Sequence, residues 1–435
     1  MKLRYSIYIF ALATIISCKP ELDEFELSRG SADFSTYVSL GNSHTAGFTD
    51  GALYRSGQLT SYPNLLAEQF RKVGGGSFEQ PLMNGEYGIF PGKMKLGITT
   101  DCLGTTSVGP LPDTGPLDDM LQPYGKAVHN LGVPLAKSFH LLAEGYGNPS
   151  GIPMGTANPF YVRFASSPQS SVLQDAMTLS PTFFSLWIGS NDILSYATAG
   201  GEGTAITEIN TFNFAMQTII SNLTASGAKG VIANIPDPSS MPFFNTVPYN
   251  ALVLIQQQQV DALNEAYGNG AIGITFKLGA NPFVIADPAS QAGIRQMIAG
   301  ELVLLSIPQD SLKCAGWGSA KPIPGQYVLT AAEISTINAT ITAYNQIIGN
   351  MANDYGLAFA DMSEFMKELS SGIIYNGETF TLTYVTGNAF SLDGIHFTPK
   401  GYALIANQFI TAINRKYGAG IPLVDVTKYR GNILP

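Results

Sequence analysis

The sequence predicts an α/β fold, a three-layer α/β/α sandwich around a mostly parallel sheet, and three observations point to it. The apolar runs Thr182 to Ile188 (TFFSLWI), Gly230 to Ile235 (GVIANI) and Leu357 to Ala360 are continuous. Such runs belong to strands buried on both faces, not to half-exposed strands that alternate. Helix-patterned segments separate them, as in strand–helix–strand units. The residues with chemical promise follow these strands or precede a helix, where ligands sit in parallel sheets.

The elements follow in chain order. Phe34 to Leu40 reads as a first strand and runs directly into Gly41-Asn42-Ser43-His44-Thr45-Ala46-Gly47. Ser61 to Val73 reads as a helix that Gly74-Gly75-Gly76 ends. Beyond it lies a long stretch rich in Gly and Pro without clear periodicity, which marks an insertion at about 74–175; a second is placed at about 276–330. Ile206 to Ala225 reads as a helix after the Thr182 strand. The last helix opens with Thr398 as N-cap and Pro399 in the first turn, and its apolar positions continue to Ile413.

The chain has 435 residues, 45% hydrophobic and 13% charged, which is ample for a buried core. Length alone favours two or three domains, but the motifs run from one end to the other, so one domain at 34–416 with insertions and a tail at 417–435 is expected. The 46 glycines and 26 prolines cluster without a period, which excludes fibrous and repeat architectures. A formal charge of -9 with no basic stretch excludes nucleic acid as a partner.

Lys2 and Arg4 precede an apolar run from Tyr5 to Ile16, which has the layout of a secretory signal and is too short to span a bilayer. Ile15-Ile16-Ser17-Cys18 resembles a bacterial lipobox, so residues 1–18 are expected to be a lipoprotein signal with Cys18 as the lipidated residue. Residues 19–33, beginning Lys19-Pro20-Glu21-Leu22-Asp23-Glu24, are acidic and turn-prone and read as a tether. An acidic tether behind such a cysteine is similar to the surface-export signals of Bacteroidota lipoproteins. The expected location is the outer membrane, reached through a lipid anchor. Cys102 and Cys314 fall in the insertions, and an oxidising compartment permits a disulfide between them or two separate thiols.

A serine hydroxyl is a weak nucleophile until an oriented base takes its proton. The chain has four histidines, His44, His129, His140 and His396. Only His396 follows a carboxylate at turn spacing, in Asp393-Gly394-Ile395-His396, on the loop before the final helix. Adjacent loop side chains diverge, so His44 beside Ser43 reads as a substrate contact or a rim residue. His129 and His140 lack paired ligands at metal spacing, and no metal or cofactor is called for.

Gly41-Asn42-Ser43 after the first strand, Gly189-Ser190-Asn191-Asp192 after a buried strand and DxxH near the carboxyl end occur in the order of the SGNH/GDSL hydrolases, which the chain resembles from about residue 34 to 416. That resemblance implies a flavodoxin-like hydrolase fold and a carboxylic ester hydrolase working through an acyl-enzyme. It implies Ser43 as nucleophile, His396 as general base and Asp393 as its orienting partner. It places the oxyanion hole at the Ser43 and Leu135 backbone N–H groups and the Asn191 amide, with Gly132 as a rival backbone donor. The sequence departs from the family's pattern twice: Asn42 stands where Asp is usual, and Leu135 stands where Gly is usual. A left-handed backbone at Leu135 would be strained.

Two aromatic stretches, Pro242 to Tyr249 and Asn158 to Phe164, suit the wall of an acyl or sugar pocket, or packing of the insertions. The substrate expected first is a long- or medium-chain carboxyl ester and second an O-acetylated glycan. A surface binding lipoprotein with little turnover is the rival from another class. A phosphate-binding loop at Gly41 to Gly47 leaves Asp393 and His396 unexplained.

Overall fold

The computed structural model describes residues 26–435, so the expected signal, Cys18 and the start of the tether lie outside the described residues. Strands β1 (Tyr37–Gly41), β2 (Asn130–Gly132), β3 (Phe183–Trp187), β4 (Lys229–Ala233) and β5 (Ala358–Ala360) form one sheet in the order β5-β4-β3-β1-β2. Every pairing in it is parallel. The helices used below are α1 (Ser43–Ala46), α2 (Tyr62–Arg71), α3 (Ser190–Ala197), α4 (Ile209–Thr224), α5 (Ala331–Asp354) and α6 (Pro399–Tyr417).

Strand β3 explains the layers, because it is buried at every position. Side chains alternate along a strand. Trp187 meets the rings of Tyr62 on α2 and Phe409 on α6 at 5.7 and 6.1 Å, and those two rings stack at 4.6 Å. Phe184 and Leu186 therefore face the other way, toward α4 and α5, which are joined by a Phe212–Tyr344 stack at 3.8 Å. The result is the expected α/β/α sandwich.

The boundaries of the insertions and ends differ from those read in the sequence. The stretch 74–175 is not one insertion, since it carries β2, a strand of the central sheet beside β1. Three residues are too few to show a pattern. The second insertion begins earlier than 276: Leu254 and Val260 share a small apolar cluster with Ile274 and Phe276, next to another around Phe283, Ile285 and Val303. Cys102 and Cys314 are disulfide-bonded, and Lys313 pairs with Asp101 at 2.9 Å, so the two insertions are clasped together. The 417–435 tail packs on the body through Ile421, Val424 and Val426, and Gly420 bridges to Ser28 in the expected tether.

Candidate active site

The first strand ends against a one-turn helix, and that junction presents Ser43. Asn42 caps α1, its Oδ1 accepting the His44 N–H at 3.1 Å, so asparagine serves here where a charge is absent. The turn lies very close to its neighbours. A Cβ on Gly132 would fall 2.3 Å from the Ala46 nitrogen, and one on Gly41 would fall 2.4 Å from the Trp187 carbonyl oxygen. Gly132 is thus required for close packing of β2 on α1.

The loop before α6 returns to this turn from the other end of the chain. Ser43 Oγ lies 2.8 Å from His396 Nε2, and His396 Nδ1 lies 2.8 Å from Asp393 Oδ2. Asp393 is held from several sides. Its Oδ1 accepts the N–H groups of Ile395 and His396 at 2.9 and 2.8 Å, and its Oδ2 accepts the Gly51 N–H at 3.0 Å. The Ser391 hydroxyl donates to Oδ1 at 3.2 Å and accepts from the Asp50 N–H at 3.0 Å. Burial pushes this carboxyl up, but the His396 ring and these N–H donors outweigh it and hold it well below the usual carboxylate range. It is an anion fixed against an imidazole.

The ring of His396 lies between two aromatic neighbours from the residues after Ser43. Phe48 approaches it at 4.6 Å and His44 at 5.0 Å between centroids. His44 is not the rim residue expected. The tight turn sends its side chain inward, where it is buried and stacks on Trp187 at 4.9 Å. Neither of its ring nitrogens has a hydrogen-bond partner among the described residues. Burial, and then the neighbouring His396, push its pKa down to about 3, so it is a neutral ring. Phe48 was missed in the sequence, where a single aromatic residue in a loop carries no pattern.

The residues around the serine divide cleanly into those with and without an available donor. Asn191 stands at the start of α3, directly after β3, and its amide donates to the Ala136 carbonyl at 3.1 Å. A primary amide has a second N–H to offer. Leu135 has φ +67, the left-handed conformation that its replacement of glycine raised as a concern. The backbone N–H groups of Leu135 and Ser43 have no partner among the described residues. Gly132 differs, because its N–H is taken by Asn130 Oδ1 at 3.0 Å within the sheet. Asp192, beside Asn191, turns away and accepts the Ser138 N–H and hydroxyl at 2.8 and 2.7 Å.

Ser43, Leu135, Asn191 and His396 all line one cavity of about 420 Å³. The rest of its wall is mostly apolar: Phe48, Leu53, Ile89, Phe90, Pro91, Met120, Pro159, Phe160 and Ile395. The Asn158 to Phe164 stretch therefore reaches the cavity through Pro159 and Phe160. The Pro242 to Tyr249 stretch instead borders a separate groove with Phe243, Val247 and Pro248, on the Asp393 side. His129 and His140 lie elsewhere and accept backbone N–H groups of Glu79 and Lys137, both at 3.1 Å. No cluster of three His, Cys, Asp or Glu able to hold a metal occurs among the described residues.

The family model described as GDSL-like Lipase/Acylhydrolase matches residues 37–409. No curated protein sequence matches the chain significantly. Among solved structures, an extracellular lipase from Streptomyces rimosus aligns over 88% of this chain and 98% of its own, at 12% identity and a TM-score of 0.32. A gut microbial diltiazem-metabolizing enzyme aligns over 89% of this chain and 49% of its own, at 12% identity and a TM-score of 0.29.

Proposed function

The chain belongs to the GDSL-like lipase/acylhydrolase family, a family of ester-bond hydrolases, and from that premise we propose that it cleaves carboxylic esters of medium or long acyl chains through a Ser43–His396–Asp393 triad. The observation that carries this reading is the continuous hydrogen-bonded line from Ser43 Oγ through His396 to Asp393, each step 2.8 Å. His396 takes the hydroxyl proton as Ser43 attacks the carbonyl carbon, and the Asp393 anion stabilises the imidazolium that results. The developing oxyanion is met by the N–H groups of Ser43 and Leu135 and by the second amide N–H of Asn191. Collapse expels the alcohol, which leaves with the proton held on His396. Water then hydrolyses the acyl-enzyme by the same steps.

The apolar wall of the cavity supports an acyl chain over an acetylated sugar, since a sugar ring needs several polar partners around it. A fluorophosphonate probe tests the enzyme against the binding protein directly. It should label the parent and fail to label Ser43→Ala or His396→Ala; an unlabelled parent would leave only a binding role.

We further propose that the protein is an exported lipoprotein of the outer membrane anchored through Cys18, a reading supported by the lipobox-like Ile15-Ile16-Ser17-Cys18 alone. Cys18→Ala should leave the membrane fraction in the native host, and a variant that still sediments with membranes as the parent does would refute the anchor.

A further inference from the structure

The loop that carries Asp393 and His396 is braced by residues 430–432 of the tail, which lie beyond the stretch that matches the family. Asn432 Nδ2 donates to the carbonyls of Val385 and Phe390, both at 2.9 Å. The Arg430 carbonyl accepts the N–H of Lys400 at 3.1 Å. The tail therefore holds the chain on both sides of Asp393 and His396. Gly431 runs so close to the loop that a Cβ there would fall 2.9 Å from Asn388 Oδ1.

Two features of this loop need such a brace. Val385 sits at φ +66, and a β-branched residue stays in that left-handed region only where its surroundings hold it. The second feature is a pair of neighbouring carboxylates, Asp50 and Asp393. The Ser391 hydroxyl joins them, donating to Asp393 Oδ1 at 3.2 Å and accepting the Asp50 N–H at 3.0 Å. Asp50 is buried; its Oδ1 accepts the Leu392 N–H at 3.4 Å and its Oδ2 the Tyr54 hydroxyl at 2.7 Å. Burial pushes this carboxyl up, and Tyr54 and Arg430 oppose that. The Arg430 guanidinium donates to Tyr54 Oη at 3.0 Å and lies 4.0 Å from Asp50 Oδ2, so the tail brings a cation to the carboxylate pair.

We propose that Arg430 and Asn432 are positioning residues for the triad: through Asp50 and the backbone of the loop they keep Asp393 and His396 in line with Ser43. Neither lines the Ser43 cavity, so their action is indirect. A general base serves a hydroxyl only within hydrogen-bond reach of about 3 Å. A displacement on the order of 1 Å caused by a change remote from the chemistry costs about a hundredfold. The tail's packing on the core is the work of other residues, Ile421, Val424 and Val426, so bracing the loop and covering apolar surface can be tested apart. The proposal rests on the triad reading of the site but can fail separately from it.

The test compares the full chain with its Arg430→Met/Asn432→Ala variant by the rate constant and the final extent of labelling with a fluorophosphonate probe. The extent counts intact sites, and the rate constant reports how well each serine is activated. A variant that is only less stable changes the first and not the second. The double variant should label to the parent's extent with a rate constant lower by about tenfold to a hundredfold. Its kcat for a dissolved ester should fall by a similar factor with KM unchanged. Arg430→Lys, which keeps a cation near Asp50, should lose far less than Arg430→Met. Val424→Ala, which trims the packed part of the tail, should lower the thermal midpoint and leave the rate constant as it was. A double variant that labels at the parent's rate would overturn the proposal, as would a loss confined to the extent or an equal slowing in Val424→Ala. If the double variant does not fold, Arg430→Met and Asn432→Ala are read singly by the same criteria. A parent that takes no label refutes the triad reading and this proposal with it, whereas a labelled parent with an unaffected variant refutes only the role of the tail.

Discussion

Leu135 combines a left-handed backbone, an unpartnered N–H and an exposed side chain in one residue of the site. The family resemblance places Leu135 where glycine is usual, and its backbone at φ +67 lies in the left-handed region that favours glycine. Its N–H has no partner among the described residues, while Gly132, the rival, has committed its own N–H to Asn130. Two substitutions test the donor. Leu135→Gly keeps the N–H and relieves the strain, so turnover of a dissolved ester should stay within a few-fold of the parent. Leu135→Pro removes the N–H and also forces φ away from +67, so it should lower kcat by at least about two to three orders of magnitude, the usual result of losing one oxyanion donor. Asn191→Ala should fall in the same range. A folded Leu135→Pro protein with undiminished kcat would remove Leu135 from the oxyanion hole. At this scale Asp393 and His396 were legible from their spacing in one short motif, whereas Ser43, 353 residues from His396, was legible only from the order of the motifs along the chain. His44 was misread because the inward turn of α1 depends on Gly132 and Trp187, which arrive from distant parts of the chain.

Secondary elements were legible in proportion to their length and periodicity. The buried strands β3 and β4 and the capped helix α6 appear almost where expected, whereas β2, three residues amid loops, left no pattern to find. The 24-residue α5 was legible in principle: Thr330 accepts the Glu333 N–H at 3.4 Å while Glu333 accepts the Thr330 N–H at 2.7 Å, a capping box written in the sequence as T-x-x-E. The pairing of the cysteines was not legible, because no spacing rule joins residues 212 apart. That separation has an energetic consequence. Closing so long a loop removes denatured-chain entropy worth about 5 kcal/mol on the chain-entropy estimate, an upper bound where the denatured state retains structure. The Cys102→Ser/Cys314→Ser variant should thus show a lower thermal midpoint by calorimetry. The clasp lies outside the Ser43 cavity, so its turnover of a dissolved ester at 25 °C should persist. An unchanged midpoint would mean that the insertions are held by their own apolar clusters and not by the disulfide.

Taken as a whole, the molecule carries a net acidic charge and holds three of its four histidines, buried His44 and half-buried His129 and His140, below their ordinary pKa. Burial pushes His44 down to about 3 and His140 down to about 4, and it lowers His129 from its ordinary value as well. The unfolded chain has no such constraint and binds protons on these rings near the ordinary value of 6.5. Below that pH the unfolded state therefore holds more protons than the folded one, and stability falls with falling pH. The window runs from about 6.5 down toward the folded values near 4 and 3. For His44 alone the loss at pH 5 is on the order of 1–2 kcal/mol. Two carboxyls work against it: burial raises Asp50 and Asp192, so protonation there favours the folded state as pH falls. Asp393, held low, adds a loss only in the carboxylate range, below the histidine window. The histidines should dominate between pH 7.5 and 5, and the thermal midpoint should drop across that interval. Replacing His44 with phenylalanine removes one of the rings that must be kept uncharged while preserving an aromatic face for Trp187. Its midpoint should consequently fall less between pH 7.5 and 5 than the parent's, whatever its value at pH 7.5. If the two proteins lose the same number of degrees over that interval, the buried neutral ring of His44 is not what makes the fold acid-sensitive.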